Sequence, residues 1–177
     1  MYRNILSQDQ LEARGKNAVA DLLARRLIVP KIFFDAAWPT RKRRIDVLAV
    51  DRAGAGDIHV VEVMVGINAA MQSLTPLMLL PAHYKYVAIV NPGQFKLQEP
   101  ILYSDDGLGR IGVILFEEEE HNQLVARIEI VPERFRVGAE VIQQIDRFTA
   151  KQHADIEIRV LSLIHILRLR GDFHSNS

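Results

Sequence analysis

The stretch from Ile45 to Gly66, IDVLAVDRAGAGDIHVVEVMVG, constrains the fold more than any other part of the chain. Two apolar runs rich in Val and Leu flank a Gly-rich turn, RAGAG, which is the pattern of a β-hairpin. Each run carries an acid, Asp46 in the first strand and Glu62 in the second. Strand side chains alternate between faces, so Asp46 shares a face with Leu48 and Val50, and Glu62 shares one with Val60 and Met64. Val61, Val63 and Val65 form the opposite face of the second strand. A carboxylate among so many valines is expected to be covered on at least one side. Burying it is costly unless it is paired or bound to a metal. Two carboxylates on adjacent strands, near the open end of the hairpin, can share one hard cation. Mg2+ suits such a pair, because it takes one or two carboxylates together with water and phosphate oxygens.

Around the hairpin the pattern alternates between helical and extended. Residues 7–27 read as a helix: Ser7 with Gln10 three places on makes a capping box, and Leu11, Ala18, Val19, Leu22 and Leu23 form an apolar stripe. Gly15 weakens the helix centre without ending it, and Pro30 stops continuation beyond RRLIV. KIFFDAAW reads as a strand before the hairpin and YKYVAIV as one after it. Between them Asn68 is placed to cap a helix through AAMQSL. Pro76 is expected to kink that helix, or to restart it with Thr75 as the new cap. RIGVILFEE and QLVARIEIV read as a strand pair around a solvated acidic turn. GAEVIQQIDRFTAKQ reads as a closing helix with Val141, Ile142, Ile145 and Phe148 on one face. The order is α-β-β-β-α-β, then a strand pair and a C-terminal helix, which predicts one mixed α/β domain over residues 1–160.

At 177 residues the chain has room for one domain with a sizeable core. Its 22 basic and 22 acidic residues cancel, so any grip on nucleic acid must come from a local cluster such as RKRR at 41–44. Without cysteine there is no disulfide framework, no zinc-finger spacing and no thiol nucleophile. The start lacks the basic-then-apolar pattern of a signal peptide, and no apolar run approaches the roughly 18 residues of a membrane span. A soluble cytoplasmic protein is the expectation. DDGLGRIG lacks the P-loop Lys and reads as a turn, and no nucleophile-elbow motif supports Ser-His-Asp catalysis.

An acid at the end of one strand, a hairpin turn, and a second acid two residues before Met64, after an opening helix and before another, resemble the PD-(D/E)XK nuclease superfamily. The fold implied is restriction-endonuclease-like, a mixed β-sheet flanked by helices. The resemblance covers residues 5–90: Asp46 matches the first acid and Glu62 the second, while Glu12 matches an extra acid on the opening helix. Gln72 matches a Gln often found one turn into the second helix. The resemblance implies a phosphodiesterase acting on DNA with Mg2+ (or Mn2+), held by Asp46 and Glu62. Arg41, Lys42, Arg43 and Arg44 would suit its phosphate contacts, and a homodimer is allowed. Two positions depart from the pattern, Ile45 in place of Pro before the first acid and Met64 in place of the motif Lys. That Lys is the group expected to position the attacking water and to neutralise the phosphoryl transition state. A thioether can do neither, and it is a poor ligand for a hard metal. Members that relocate the Lys make Lys85, Lys16 and Lys42 candidates, and spacing does not choose among them. The alternative is a catalytically inactive nuclease-fold domain that binds nucleic acid or a protein partner.

Plain readings stand beside these. Asp46 after RKRR also reads as a surface ion pair, and Glu62 as a strand-end acid satisfied by a backbone or Arg partner. Glu12 and Gln72 read as solvated helix residues, and RKRR as a solvated face. His59 falls on the valine face opposite the acids and reads as a packed imidazole, while His83, His121 and His153 show no metal spacing. A third reading is an α/β domain whose acids coincide by chance. LSLIHI at 161–166 resembles the translation of a transposase mosaic end, so residues 161–177 are expected to be a non-native or disordered tail. A terminal strand, VLSLIHILRL, is the other reading of the same residues.

Overall fold

The fold comes from a computed structural model of the chain, which describes residues 6–39, 43–51, 56–91, 109–119 and 123–152. Helix α1 (Gln8–Arg26) starts at Ser7 through the capping box read from the sequence. The Ser7 hydroxyl accepts from the Gln10 N–H at 3.2 Å, and the Ser7 N–H donates to Gln10 Oε1 at 2.9 Å. There follow β1 (Pro30–Ala37), β2 (Arg44–Asp51), β3 (Ile58–Val65), α2 (Ile67–Met78), β4 (Tyr84–Val90), β5 (Gly112–Glu119) and β6 (Gln123–Ile130). All of these lie in one unit, Met1–Gly138; a second, Ala139–Ser177, contains a helix over 139–152. The expected domain over 1–160 spans parts of both.

Every strand lies beside its neighbour in sequence, in a mixed sheet of order β1-β2-β3-β4-β5-β6. β1–β2, β2–β3 and β5–β6 are antiparallel, whereas β3–β4 and β4–β5 are parallel. Parallel neighbours need a crossover, and α2 supplies it between β3 and β4. The α/β class with a mixed sheet and packed helices is therefore the fold.

The centre of the sheet is covered on both faces, and β3 is buried at every residue from Ile58 to Val63. One face sets Val47, Ala49, Val61, Val63, Tyr86, Ala88 and Val90 against Ala18, Val19, Leu22 and Leu23 of α1. α2 packs on β3 and β4 with Ala70, Leu74 and Leu77 buried, and residues of the other parity, Leu48, Val60, Val87 and Ile89, are buried as completely. Gly15 has a packing reason that its helix-weakening composition hides. A Cβ there would stand 2.8 Å from both Val63 Cγ1 and Val90 Cγ2, so the bare backbone seats α1 directly on β3 and β4.

Two local expectations are corrected. Asn68 does not cap α2; Gly66 occupies the N-cap at φ 83 without a side-chain bond, and its N–H donates to Val90 O at 2.8 Å. The chain turns sharply out of β3 in a left-handed conformation that glycine adopts at little cost. α2 runs on through Pro76 without a restart capped by Thr75, because the proline falls in the last turn of the helix. There its missing N–H forfeits a single backbone bond. No helix among the described residues is long and apolar enough to cross a membrane. Most of the hairpin turn RAGAG, together with Arg41, Lys42, His121, His153 and the 161–177 tail, lies outside the described residues.

Candidate functional site

The β2–β3 ladder runs from Val50 opposite Ile58 to Val47 opposite Val61 and stops there. Beyond it the strands fork, and Asp46 stands in the fork. Its Oδ2 accepts the Val63 N–H at 2.8 Å, taking over the backbone donor that the ladder leaves unpaired. Its Oδ1 lies 3.0 Å from the ammonium of Lys16, which α1 carries one residue after the glycine that seats it on the sheet. By strand alternation Asp46 belongs with Leu48, on the face away from α1. The fork is what lets it reach the helix.

Lys16 Nζ also lies 2.8 Å from Glu12 Oε1 and 2.8 Å from Asp35 Oδ1, so three carboxylates surround one ammonium whose side chain is 13 % exposed. An ammonium has three hydrogens to donate; one makes a directed hydrogen bond to Asp35, and the other two carboxylates stand within ion-pair distance. Burial works against the charge on Lys16, but the bonds to Asp35, Glu12 and Asp46 outweigh it and raise its pKa above the ordinary lysine range. Glu12 is the i−4 helical partner of Lys16, an arrangement worth about 0.3–0.5 kcal/mol when exposed. Asp35 sits inside β1 with φ 48, a left-handed backbone that costs about 1–3 kcal/mol at a non-glycine residue.

Glu62 is 5 % exposed on β3, and Arg43 Nη2 stands 3.1 Å from its Oε1. The approach is that of an ion pair; the same buried oxygen makes no directed hydrogen bond. Arg43 is aimed by its own backbone, whose carbonyl accepts the Trp38 N–H at 2.7 Å and ties the end of β1 to the start of β2. Burial, with the Asp46 charge beside it, pushes the Glu62 carboxyl up to about 7 against the pull of Arg43 and Lys16. Four carboxylates thus meet two cations here, which leaves the cluster with excess negative charge.

The structure brings Glu12, Asp46 and Glu62 into one region and adds Lys16, Asp35 and Arg43 to them. It places Lys85 and Gln72 elsewhere. Lys85 is buried on β4, donates to the Met78 carbonyl at the C-terminus of α2, and lies 3.8 Å over the Phe135 ring. A cation there satisfies a terminal helix carbonyl and complements the helix dipole. Gln72 is exposed on α2, and Arg44 is exposed at the start of β2. Met64 is half-buried opposite Ile89 on β4, on the strand parity of Glu62. The plain reading that gave Glu62 an Arg partner finds it in Arg43, whereas Asp46 pairs with a lysine of α1.

Asp35 carried no signal in the sequence, because KIFFDAAW places it as an ordinary strand residue. A second polar group, at the other end of the hairpin, was equally silent. His83 Nδ1 accepts the Ile58 N–H at 3.0 Å, its Nε2 lies 3.8 Å from Asp57 Oδ1, and Arg134 grips Asp57 at 2.8 Å. His59 is the packed imidazole expected of the valine face, stacked 4.7 Å from Tyr84, and burial pushes its pKa down to about 4.

The fold is similar to that of a protein of unknown function from Silicibacter pomeroyi, with a TM-score of 0.59 and 17% identity over 89% of this chain and 92% of that one. At that identity the likeness is one of fold. No protein-family model matches the chain, and no curated protein matches it.

Proposed function

We propose that the protein is a metal-dependent nuclease of restriction-endonuclease-like fold that hydrolyses DNA phosphodiester bonds, with Lys16 in the role the motif gives to position 64. The observation that supports this most directly is the Lys16–Asp46 contact at 3.0 Å, an ammonium delivered to the first acid by the opening helix. The acids also lie toward the C-terminal end of β3, beside the β3–α2–β4 crossover, where open α/β sheets bind their ligands.

Among the described residues no three His, Cys, Asp or Glu side chains stand close enough to hold a metal ion. Asp46 and Glu62 would be the protein's share of the ligands. That number suits Mg2+, which completes its shell with water and phosphate oxygens. The buried Glu62 Oε1, which lacks a directed hydrogen bond, fits a hard cation. Such an ion supplies charge that polarises the phosphoryl oxygens. The chain's own residues do the positioning. Glu12 is held to Lys16 by helix geometry alone, without the reversed backbone that aims Asp35 or the strand fork that aims Asp46, so a water enters between Lys16 and Glu12. Lys16 donates to that water and offsets the charge developing on the phosphoryl group, while Glu12 accepts the water's proton. Arg43 offers a planar fork of donors for the phosphate oxygens.

A second reading rests on its own observation. Lys16 already stands against Asp46 and Arg43 against Glu62, so each acid has a protein cation as its partner. A nuclease-fold domain that binds DNA without cutting it would look like this. Incubating the purified protein with duplex and single-stranded DNA, with and without Mg2+ or Mn2+, separates the two. The first reading expects metal-dependent cleavage that disappears in Asp46→Ala, Glu62→Ala and Lys16→Met. Cleavage that persists in all three variants would refute the site. Salt-dependent binding without any cleavage would select the second reading.

A further inference from the structure

We propose that Asp35 is a positioning residue: its left-handed backbone turns its carboxylate onto Lys16 and holds the ammonium against Asp46. Three geometric facts converge on it. Ile32 packs with α1, so by strand alternation Asp35 belongs on the opposite face with Phe33. The φ of 48 breaks that alternation, and the carboxylate reaches Lys16 at 2.8 Å. The β1–β2 register pairs Phe34 with Val47 and Ala36 with Ile45, so Asp35 and Asp46 fall opposite each other at the position the ladder skips. Like charges directly opposite repel. Here one ammonium lies between them, 2.8 Å from the first and 3.0 Å from the second.

Both acids that reach Lys16 from the sheet do so from the parity facing away from α1, Asp46 through a fork and Asp35 through a reversed φ. Pairing Lys16 with Glu12 alone would need neither device, since helix geometry brings i and i+4 together. The strained residue therefore serves something other than neutralising Lys16. It fixes where the ammonium sits, on the sheet side of the helix and in line with Asp46. The consequence for catalysis rests on the nuclease reading; the holding of Lys16 does not.

The test is residue-resolved acylation of lysines at alkaline pH, read by mass spectrometry and normalised to the exposed Lys151. Asp35→Gly accepts the same φ without strain but has no carboxylate, so its fold is expected to survive; thermal unfolding checks this. Lys16 should then label several-fold faster than in the wild type, because an ammonium released from its 2.8 Å contact with Asp35 leaves the crowded sheet side of the helix for solvent. Asp35→Asn keeps an acceptor oxygen and should fall between the two. Unchanged Lys16 labelling in a folded Asp35→Gly protein would overturn the proposal. If the wild type cleaves DNA, kcat should fall about tenfold in Asp35→Gly with KM little changed. Faster labelling with unaltered kcat would reduce the contact to a structural one and overturn the positioning role. If the wild type does not cleave, the nuclease reading fails on its own, and the labelling result still decides whether Asp35 holds Lys16.

Discussion

Replacing Glu62 by Gln isolates the electrostatic cost of the buried carboxylate. The folded chain holds Glu62 at about 7 against an ordinary 4.5, because burial and the Asp46 charge outweigh the pull of Arg43. Linkage fixes the sign: a carboxyl that ionises later in the folded state leaves stability unaffected while both states are protonated, and subtracts from it as pH rises from 4.5 through 7. At 1.36 kcal/mol per pKa unit the full effect is about 3 kcal/mol, reached near pH 8. Glutamine keeps the shape and has no charge to desolvate. Between pH 4.5 and pH 8 the Glu62→Gln variant should therefore gain about 3 kcal/mol on the wild type. With a urea m-value of about 2 kcal/mol/M, the difference between their midpoints changes by roughly 1.5 M over that range. The assay is urea unfolding followed by circular dichroism at half-unit pH steps. Other titrating groups move both proteins together and cancel in the comparison. Midpoints that run parallel across the whole range would show that Glu62 titrates normally when folded, and would sink this account of the site.

Millimolar Mg2+ should raise the urea midpoint of the wild type at pH 8 and leave Glu62→Gln nearly unmoved, because ion binding stabilises only the state with the intact ligand pair. Equal shifts in both would point to non-specific salt effects. Gly15→Ala should lower the melting temperature and cost about 1–3 kcal/mol through overpacking against Val63 and Val90, although the same change in an open helix gains about 1 kcal/mol. A higher melting temperature would mean that α1 is not seated as described. Lys16→Met should abolish DNA cleavage, and adding Met64→Lys to it should restore a measurable fraction. No recovery, with cleavage intact in the wild type, would show that position 64 cannot serve the site.

The order of elements was legible because each has a local cause: the Ser7–Gln10 box, the valine-rich runs and the tight turns between them. Asp46 and Glu62 stood out for the same reason, as charges in apolar strands. What escaped depends on how elements meet. Gly15 reads as a weak helix position until the distance to Val63 is known. Choosing Lys16 over Lys85 needs the helix placed on the sheet, since both lie on plausible elements and only packing separates them. Asp35 needs a reversed φ that no neighbouring residue announces. Gly66 could be foreseen as a turn, yet its place as the cap of α2 follows from the bond to Val90, far along the chain.

The neighbour-by-neighbour order of the strands has a consequence in time. Glu12, Lys16, Asp35, Arg43, Asp46 and Glu62 form one continuous stretch joined by short closures, so little loop entropy opposes their meeting. During synthesis the opening helix and first three strands emerge before the crossover helix and β4. At that stage water still reaches Glu62, and its ionised form costs nothing. The penalty arrives only when α2 and β4 dock and cover it. Docking of α2 and β4 is thus the step that raises the Glu62 pKa, and proton uptake at neutral pH would mark it, with β5 and β6 still to pair.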